Sequence, residues 1–184
     1  MTRDEAVALV RETVQNENLV RHMLATEAIM ADLADRLGGD RETWAMAGLL
    51  HDLDVEETAD TMEIHGLRSV EWLQARGFDD PVVLQAVRAH NPDNGTEPGS
   101  LLDQVIVAAD PLSGLITAAA LIRPEKKLDL VTLKSLKKRF KEPAFAKGAN
   151  RQAIAGCEAF GLSLEEFLGI GLAAMQRIAP DLGL

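Results

Sequence analysis

The chain contains four histidines, His22, His51, His65 and His90, and one of them stands directly before an aspartate in the run GLLHDLD, residues 48–54. An apolar run that ends in His51 and Asp52 places an imidazole and a carboxylate where burial costs free energy unless something pairs with them. The local sequence supplies no such partner. The other histidines fall within or beside expected helices, and Asp110 sits inside the most apolar one. In chain order the set reads H, HD, H, H, D. Imidazole and carboxylate suit Zn, Fe, Mn and related divalent ions, and a cation would offset the cost of burying Asp52 and Asp110. Taken singly, each residue has a plainer role: a satisfied or surface histidine for His22 or His65, and a cap before Pro111 for Asp110. The ordered set is what points to metal.

The elements that must position these residues read as helices throughout. Thr2 with Glu5 resembles a capping box opening a first helix, and Asn18 is placed to open a second that stops at Gly38-Gly39. Asp40 caps a third, which carries the run ending in His51. Ile64, Leu67, Val70 and Leu73 recur at helical spacing up to Gly77, and Asp80-Pro81 starts a helix through His90. Residues 91–100, NPDNGTEPGS, form a loop by their turn residues. A long helix over residues 101–121 follows, with a kink expected where Pro111 cannot donate a backbone hydrogen bond. A basic amphipathic helix is expected near 130–140, then helices near 149–160 and 163–178, the last opened by Ser163 with Glu166. There is no alternating β-branched run and no Tyr. The expected fold is all-α: one domain over residues 1–184, with a metal-binding core at about 18–122 and a helical extension at about 123–184 packed on it.

Composition agrees. A chain of 184 residues with 47% hydrophobic content can bury one substantial core. Its formal net charge of −10 disfavours duplex nucleic acid and anionic membranes as partners. Residues 123–151 run against that trend, with ten Lys or Arg against three acids, so this segment is +7 and the remainder −17. The single Cys157 excludes an internal disulfide, and MTRDEAVALV lacks the apolar stretch of a secretory signal, so a cytoplasmic protein is expected. Cys157 is read as a small buried side chain. Residues 105–122 approach the composition of a membrane span, but Asp110 and Pro111 interrupt them and a buried helix is the expectation.

The ordered residues resemble the HD superfamily of metal-dependent hydrolases. The resemblance implies that His22, His51, Asp52 and Asp110 hold one ion, and that His65 and His90 hold a second, with Asp52 bridging and His51-Asp52 as the catalytic pair. The motif covers about residues 18–122, and LKSLKKRFKEPAFAKGANR looks like the tail of a group of uncharacterised bacterial HD hydrolases. One branch is disfavoured: HD-GYP proteins follow the pair with Ile-Gly-Lys, whereas Leu53-Asp54-Val55 stands here and no GYP follows. Asp54, Glu56 and Glu57 are read as a solvated acidic turn.

The chemistry implied is hydrolysis of a phosphate ester by metal-activated water, with two ions drawn from Fe, Mn, Zn, Co or Ni. The expected substrate is a nucleotide or other small phosphorylated metabolite, since the acidic surface offers no long basic track for a polymer. Lys147 and Arg151 flank Gly148-Ala149-Asn150 at a helix start and are the candidate phosphate ligands, while Lys134, Lys137, Lys138 and Lys141 fall on a solvated face. Two other classes fit the same ligands: a di-iron oxygenase, and a sensing module without turnover.

Overall fold

The computed structural model describes residues 1–184, all helix, turn and loop with no strand. Eleven α-helices run in chain order: α1 (Arg3–Thr13), α2 (Glu17–Leu37), α3 (Arg41–Leu50), α4 (Val55–Thr58), α5 (Leu67–Ala75), α6 (Pro81–Ala89), α7 (Leu101–Leu121), α8 (Leu133–Phe140), α9 (Arg151–Ala155), α10 (Leu164–Arg177) and α11 (Ala179–Leu182). Short 3-10 turns link several of them. The starts follow local chemistry. Thr2 and Glu5 make the expected capping box, Asp40 accepts from Thr43 N, and Asp80 accepts from Val82 N ahead of Pro81. The cap of the second helix lies two residues before the expected one: Asn16 accepts from the Asn18 backbone, which already lies inside α2. The kink expected at Pro111 does not end the long helix, and α7 runs unbroken on both sides of it.

The two longest helices, α2 and α7, form the frame, each with most of its length buried. Alone among the helices, α7 is long and apolar enough to cross a membrane, yet more than half of its apolar window is covered by the rest of this fold. The C-terminal helices share the same core. One hydrophobic cluster runs from Ala6 through Met23, Ile106 and Leu136 to Phe167 and Leu182. Polar contacts tie the same parts: Arg177 makes a two-pronged pair with Asp32, and Gln176 Nε2 donates to the Leu128 and Val131 carbonyls. Leu136 anchors the buried side of α8, while Lys134 and Lys138 lie toward solvent.

Two glycines bring the elements of the future site together. A Cβ on Gly48 would lie 2.8 Å from the Thr26 carbonyl oxygen, so only glycine lets α3 approach the backbone of α2 this closely. Gly66, at φ +85°, stands just ahead of α5; a Cβ there would lie 2.8 Å from the Val87 carbonyl of α6. One turn from each contact lies a pair of histidines. His22 precedes Thr26 and His51 follows Gly48; His65 precedes Gly66 and His90 follows Val87.

Candidate metal centre

Five elements deliver the six side chains. His22 comes from α2, His51 and Asp52 from the end of α3, and His65 from the turn before α5. His90 closes α6, and Asp110 lies midway along α7. The rings face one another through their Nε2 atoms, 3.2 Å apart for His22 and His51 and 3.1 Å for His65 and His90. Asp52 sits between them. Its Oδ1 lies 3.4, 3.1 and 3.3 Å from Nε2 of His51, His65 and His90, and its Oδ2 lies 3.4 Å from Nε2 of His22. Asp110 Oδ1 is 3.1 Å from His22 Nε2 and 3.9 Å from His51 Nε2. Two compact triads result, His22-His51-Asp52 and Asp52-His65-His90, each with its ligand atoms within 4.8 Å of one another. They share Asp52.

The outer nitrogens decide what the inner ones can do. His51 Nδ1 donates to the Gly48 carbonyl at 2.8 Å and His90 Nδ1 to the Val87 carbonyl at 2.7 Å. His22 Nδ1 donates to Ser113 Oγ at 2.7 Å, which passes its own proton to the Asp110 carbonyl at 2.9 Å. His65 Nδ1 donates to Asp54 Oδ1 at 2.8 Å. A carbonyl only accepts, so the proton of His51 and of His90 belongs on Nδ1, and a neutral ring then offers its Nε2 lone pair inward. Nitrogen and carboxylate donors converging in this way suit a divalent transition metal and fit the ion that the sequence calls for.

Protons compete for the same atoms. Burial opposes charge on His22, but Asp110 and Asp52 overcome it and raise its pKa to about 10. At His65 burial is likewise overcome, by Asp52 and Asp54, to about 10. Burial prevails at His51 and lowers it to about 4. Burial pushes Asp52 and Asp110 upward, but neighbouring imidazoles hold both below the usual carboxylate range.

Two residues stand differently from their sequence reading. Asp54 is fully buried rather than part of a solvated turn, and it accepts from His65, Gly66 N and Ser69 N. The reasoning that flags Asp52 covers it as well: an acid inside an apolar run needs a partner. Arg151 does not reach the cluster. Its guanidinium donates to the carbonyls of Phe140, Glu142, Phe145, Ala146 and Ala149, using every N–H it has to hold the loop between α8 and α9. Lys147 is exposed on that loop. Ser113 was not legible as functional; only its place one turn from Asp110 could have suggested it. Cys157 is buried, and burial with Glu158 nearby pushes its thiol up to about 11, which suits packing rather than nucleophilic work.

A cavity of about 390 Å³ opens beside the cluster, with His22 and Asp110 in its wall. The rest of the wall is small and uncharged. Gly114 and Ala118 follow Asp110 at one-turn intervals on α7, and Ala146, Gly148 and Ala149 face them from the loop that Arg151 holds. A Cβ added at Gly114 would meet nothing within 4 Å.

Comparison with known proteins agrees with this geometry. Residues 19–115, more than half of the chain, match the HD domain, and the chain belongs to that family, part of a superfamily of metal-dependent hydrolases. Similar proteins include ribonuclease Y 2 of Levilactobacillus brevis, 33% identical over 102 residues that make up 55% of this chain and 18% of that protein. Ribonuclease Y of Geobacter sulfurreducens is 30% identical over 102 residues, 55% of this chain and 19% of the relative. That of Opitutus terrae is 28% identical over 98 residues, 53% of this chain and 18% of the relative. The shared part is thus under a fifth of each relative. No solved structure matches the chain.

Proposed function

We propose that this protein is a metal-dependent phosphohydrolase that uses two divalent ions to cleave a small phosphorylated metabolite or nucleotide. The observation that carries this reading is the pair of triads sharing Asp52, whose Oδ2 faces His22 while its Oδ1 faces His51, His65 and His90. Two bound ions would lower the pKa of a shared water and neutralise charge on the phosphate. The chain's own part is positioning. His22, His51 and Asp110 would hold one ion, His65 and His90 the other, and Asp52 would bridge; Gly48, Val87, Ser113 and Asp54 keep the rings turned inward.

The cavity beside His22 and Asp110 is where the organic part of a substrate fits. Its volume is at the small end of the range for small-molecule sites. With Arg151 committed to its loop and no Lys or Arg in the wall, a single phosphate would be balanced chiefly by the ions. This favours a monophosphate over a triphosphate. Lys147, between the wall residues Ala146 and Gly148, is the cation on that loop placed to meet a phosphate from the rim.

The test is metal analysis followed by a substrate panel with Mn, Fe, Co, Ni and Zn. Phosphomonoesters should release phosphate, faster than nucleoside triphosphates. The names of the ribonuclease Y relatives bring short RNA and other phosphodiesters into the same panel. Oxygen uptake by iron-loaded protein, without phosphate release, would replace this reading with a di-iron oxygenase. Protein that takes up none of the five metals would remove it.

A further inference from the structure

Only one of the four histidines is backed by a carboxylate. His51 and His90 lean on backbone carbonyls and His22 on a hydroxyl, whereas His65 Nδ1 lies 2.8 Å from Asp54 Oδ1. The carboxylate is itself tightly held. Its Oδ2 accepts from Gly66 N at 2.8 Å and from Ser69 N at 3.1 Å, and the Asp54 backbone N–H donates to Ser69 Oγ at 3.1 Å. Thr58 adds to this: its hydroxyl donates to the Asp54 carbonyl at 2.8 Å, which leaves a lone pair facing His65 Nδ1 at 3.0 Å. Two acceptors therefore surround Nδ1, and no donor does.

We propose that Asp54 is a positioning residue for the inner metal position: by accepting the Nδ1 proton of His65 it fixes the tautomer that presents Nε2 to an ion, and so controls loading of the Asp52-His65-His90 triad. This rests on the metal-centre reading above. A buried carboxylate behind an imidazole fixes ring orientation and makes the ligand more basic, and loss of such a partner typically costs about 10-fold to 100-fold in metal affinity.

The neighbours of Asp54 make Asp54→Asn a switch of tautomer rather than of shape. Gly66 N and Ser69 N both need an acceptor, so the amide oxygen must take the place of Oδ2. The amide NH2 then faces His65 Nδ1. Two donors cannot share that gap, and His65 is driven to carry its proton on Nε2, where it blocks the ion.

The experiment is titration calorimetry with Zn²⁺ on the full chain, with bound metal counted after gel filtration and ring nitrogens of His65 followed by ¹⁵N NMR. Wild type should take two ions, with His65 protonated on Nδ1 and ligated through Nε2. Asp54→Asn should keep one ion at wild-type affinity and bind the second roughly 10-fold to 100-fold more weakly. Its His65 ring should show the reversed tautomer in the absence of zinc. Thr58→Val removes one of the two Nδ1 acceptors but leaves the carboxylate in place, and should weaken the second ion less than Asp54→Asn does. Two ions at unchanged affinity in Asp54→Asn would overturn the role of Asp54 while leaving the two-ion reading intact. No zinc, or a single zinc, in wild type would instead overturn the two-ion reading. Should Asp54→Asn fail to fold, the wild-type spectrum still decides: a zinc-loaded His65 without a proton on Nδ1 sinks the proposal.

Discussion

At one end of the cluster the side chains of His22 and Asp110 are 21% and 32% exposed and form part of a cavity wall; at the other, His65 and His90 are 5% and 2% exposed and closed in by α5 and α6. Each end sets two histidines against the shared Asp52, and the open end adds Asp110. The difference lies in what stands behind them. The inner end is sealed by Asp54, Thr58, Gly66 and Ser69, which have no access to a substrate, so under the proposed function their part would be to position a ligand of the ion. The open end is backed by Ser113 and faces a cavity with small walls, so under the proposed function it is where a reacting phosphate would meet the metals. A site of this kind separates a fixed half from an exchanging half while keeping both on one shared carboxylate.

The largest expected effect is on that shared carboxylate. Asp52→Ala should remove metal from both ends and abolish turnover, because no other carboxylate stands between the two histidine groups. Metal counting after dialysis checks this; a variant that keeps one full equivalent would show that the two ends load independently of Asp52.

A pair of glycine substitutions then separates the open end from its cavity. Gly48→Ala drives a methyl against the Thr26 backbone, which cannot move as a side chain can, and should destabilise the protein by about 1 to 3 kcal/mol while weakening zinc at His22 and His51. Gly114→Leu places its Cβ in open space on the cavity wall and should leave stability and metal content near wild type. It should nevertheless lower kcat/KM about 10-fold, by filling the room beside Asp110. Equal loss of metal in both variants would dissolve the distinction between holding an ion and admitting a substrate.

Removal of metal should expose opposite pH dependences within the cluster. In chelator-treated protein His22 and His65 have folded pKa values of about 10, above the unfolded value near 6.5, so their contribution to stability is full below pH 6.5 and is lost as pH rises toward 10. His51 behaves in the reverse sense. Its folded value of about 4 lies below 6.5, so its contribution is present above pH 6.5 and is lost as pH falls toward 4. Thermal melts across pH 4 to 10 should therefore decline on both sides for stripped protein. With zinc bound the alkaline decline should flatten, since ligation replaces those protons.

The smallest effects belong to the rim. Lys147→Ala should weaken substrate use only a few-fold, seen in kcat/KM and suppressed by salt, with no change in metal content or melting temperature. Lys134→Ala and Lys138→Ala, on the exposed side of α8, should change neither. If all three behave alike, no substrate phosphate reaches the loop and the open end acts through its ions alone.

The sequence by itself determined the helical class, most helix starts and the identity of the cluster. Capping residues act within a few positions of themselves, and an acid or imidazole in an apolar run announces a buried partner wherever it falls. Thus His22, His51, Asp52, His65, His90 and Asp110 could be grouped before their distances were known. Only the tertiary structure decided how they divide. That Gly48 and Gly66 are close-approach points, that Asp54 turns inward to His65, and that Ser113 backs His22 across 91 positions of chain all depend on packing between elements far apart in sequence. The same holds for Arg151, which charge and position mark as a phosphate ligand. Its long side chain finds five carbonyls between the end of α8 and its own helix, and hydrogen bonds of that kind form only once the chain has folded back on itself.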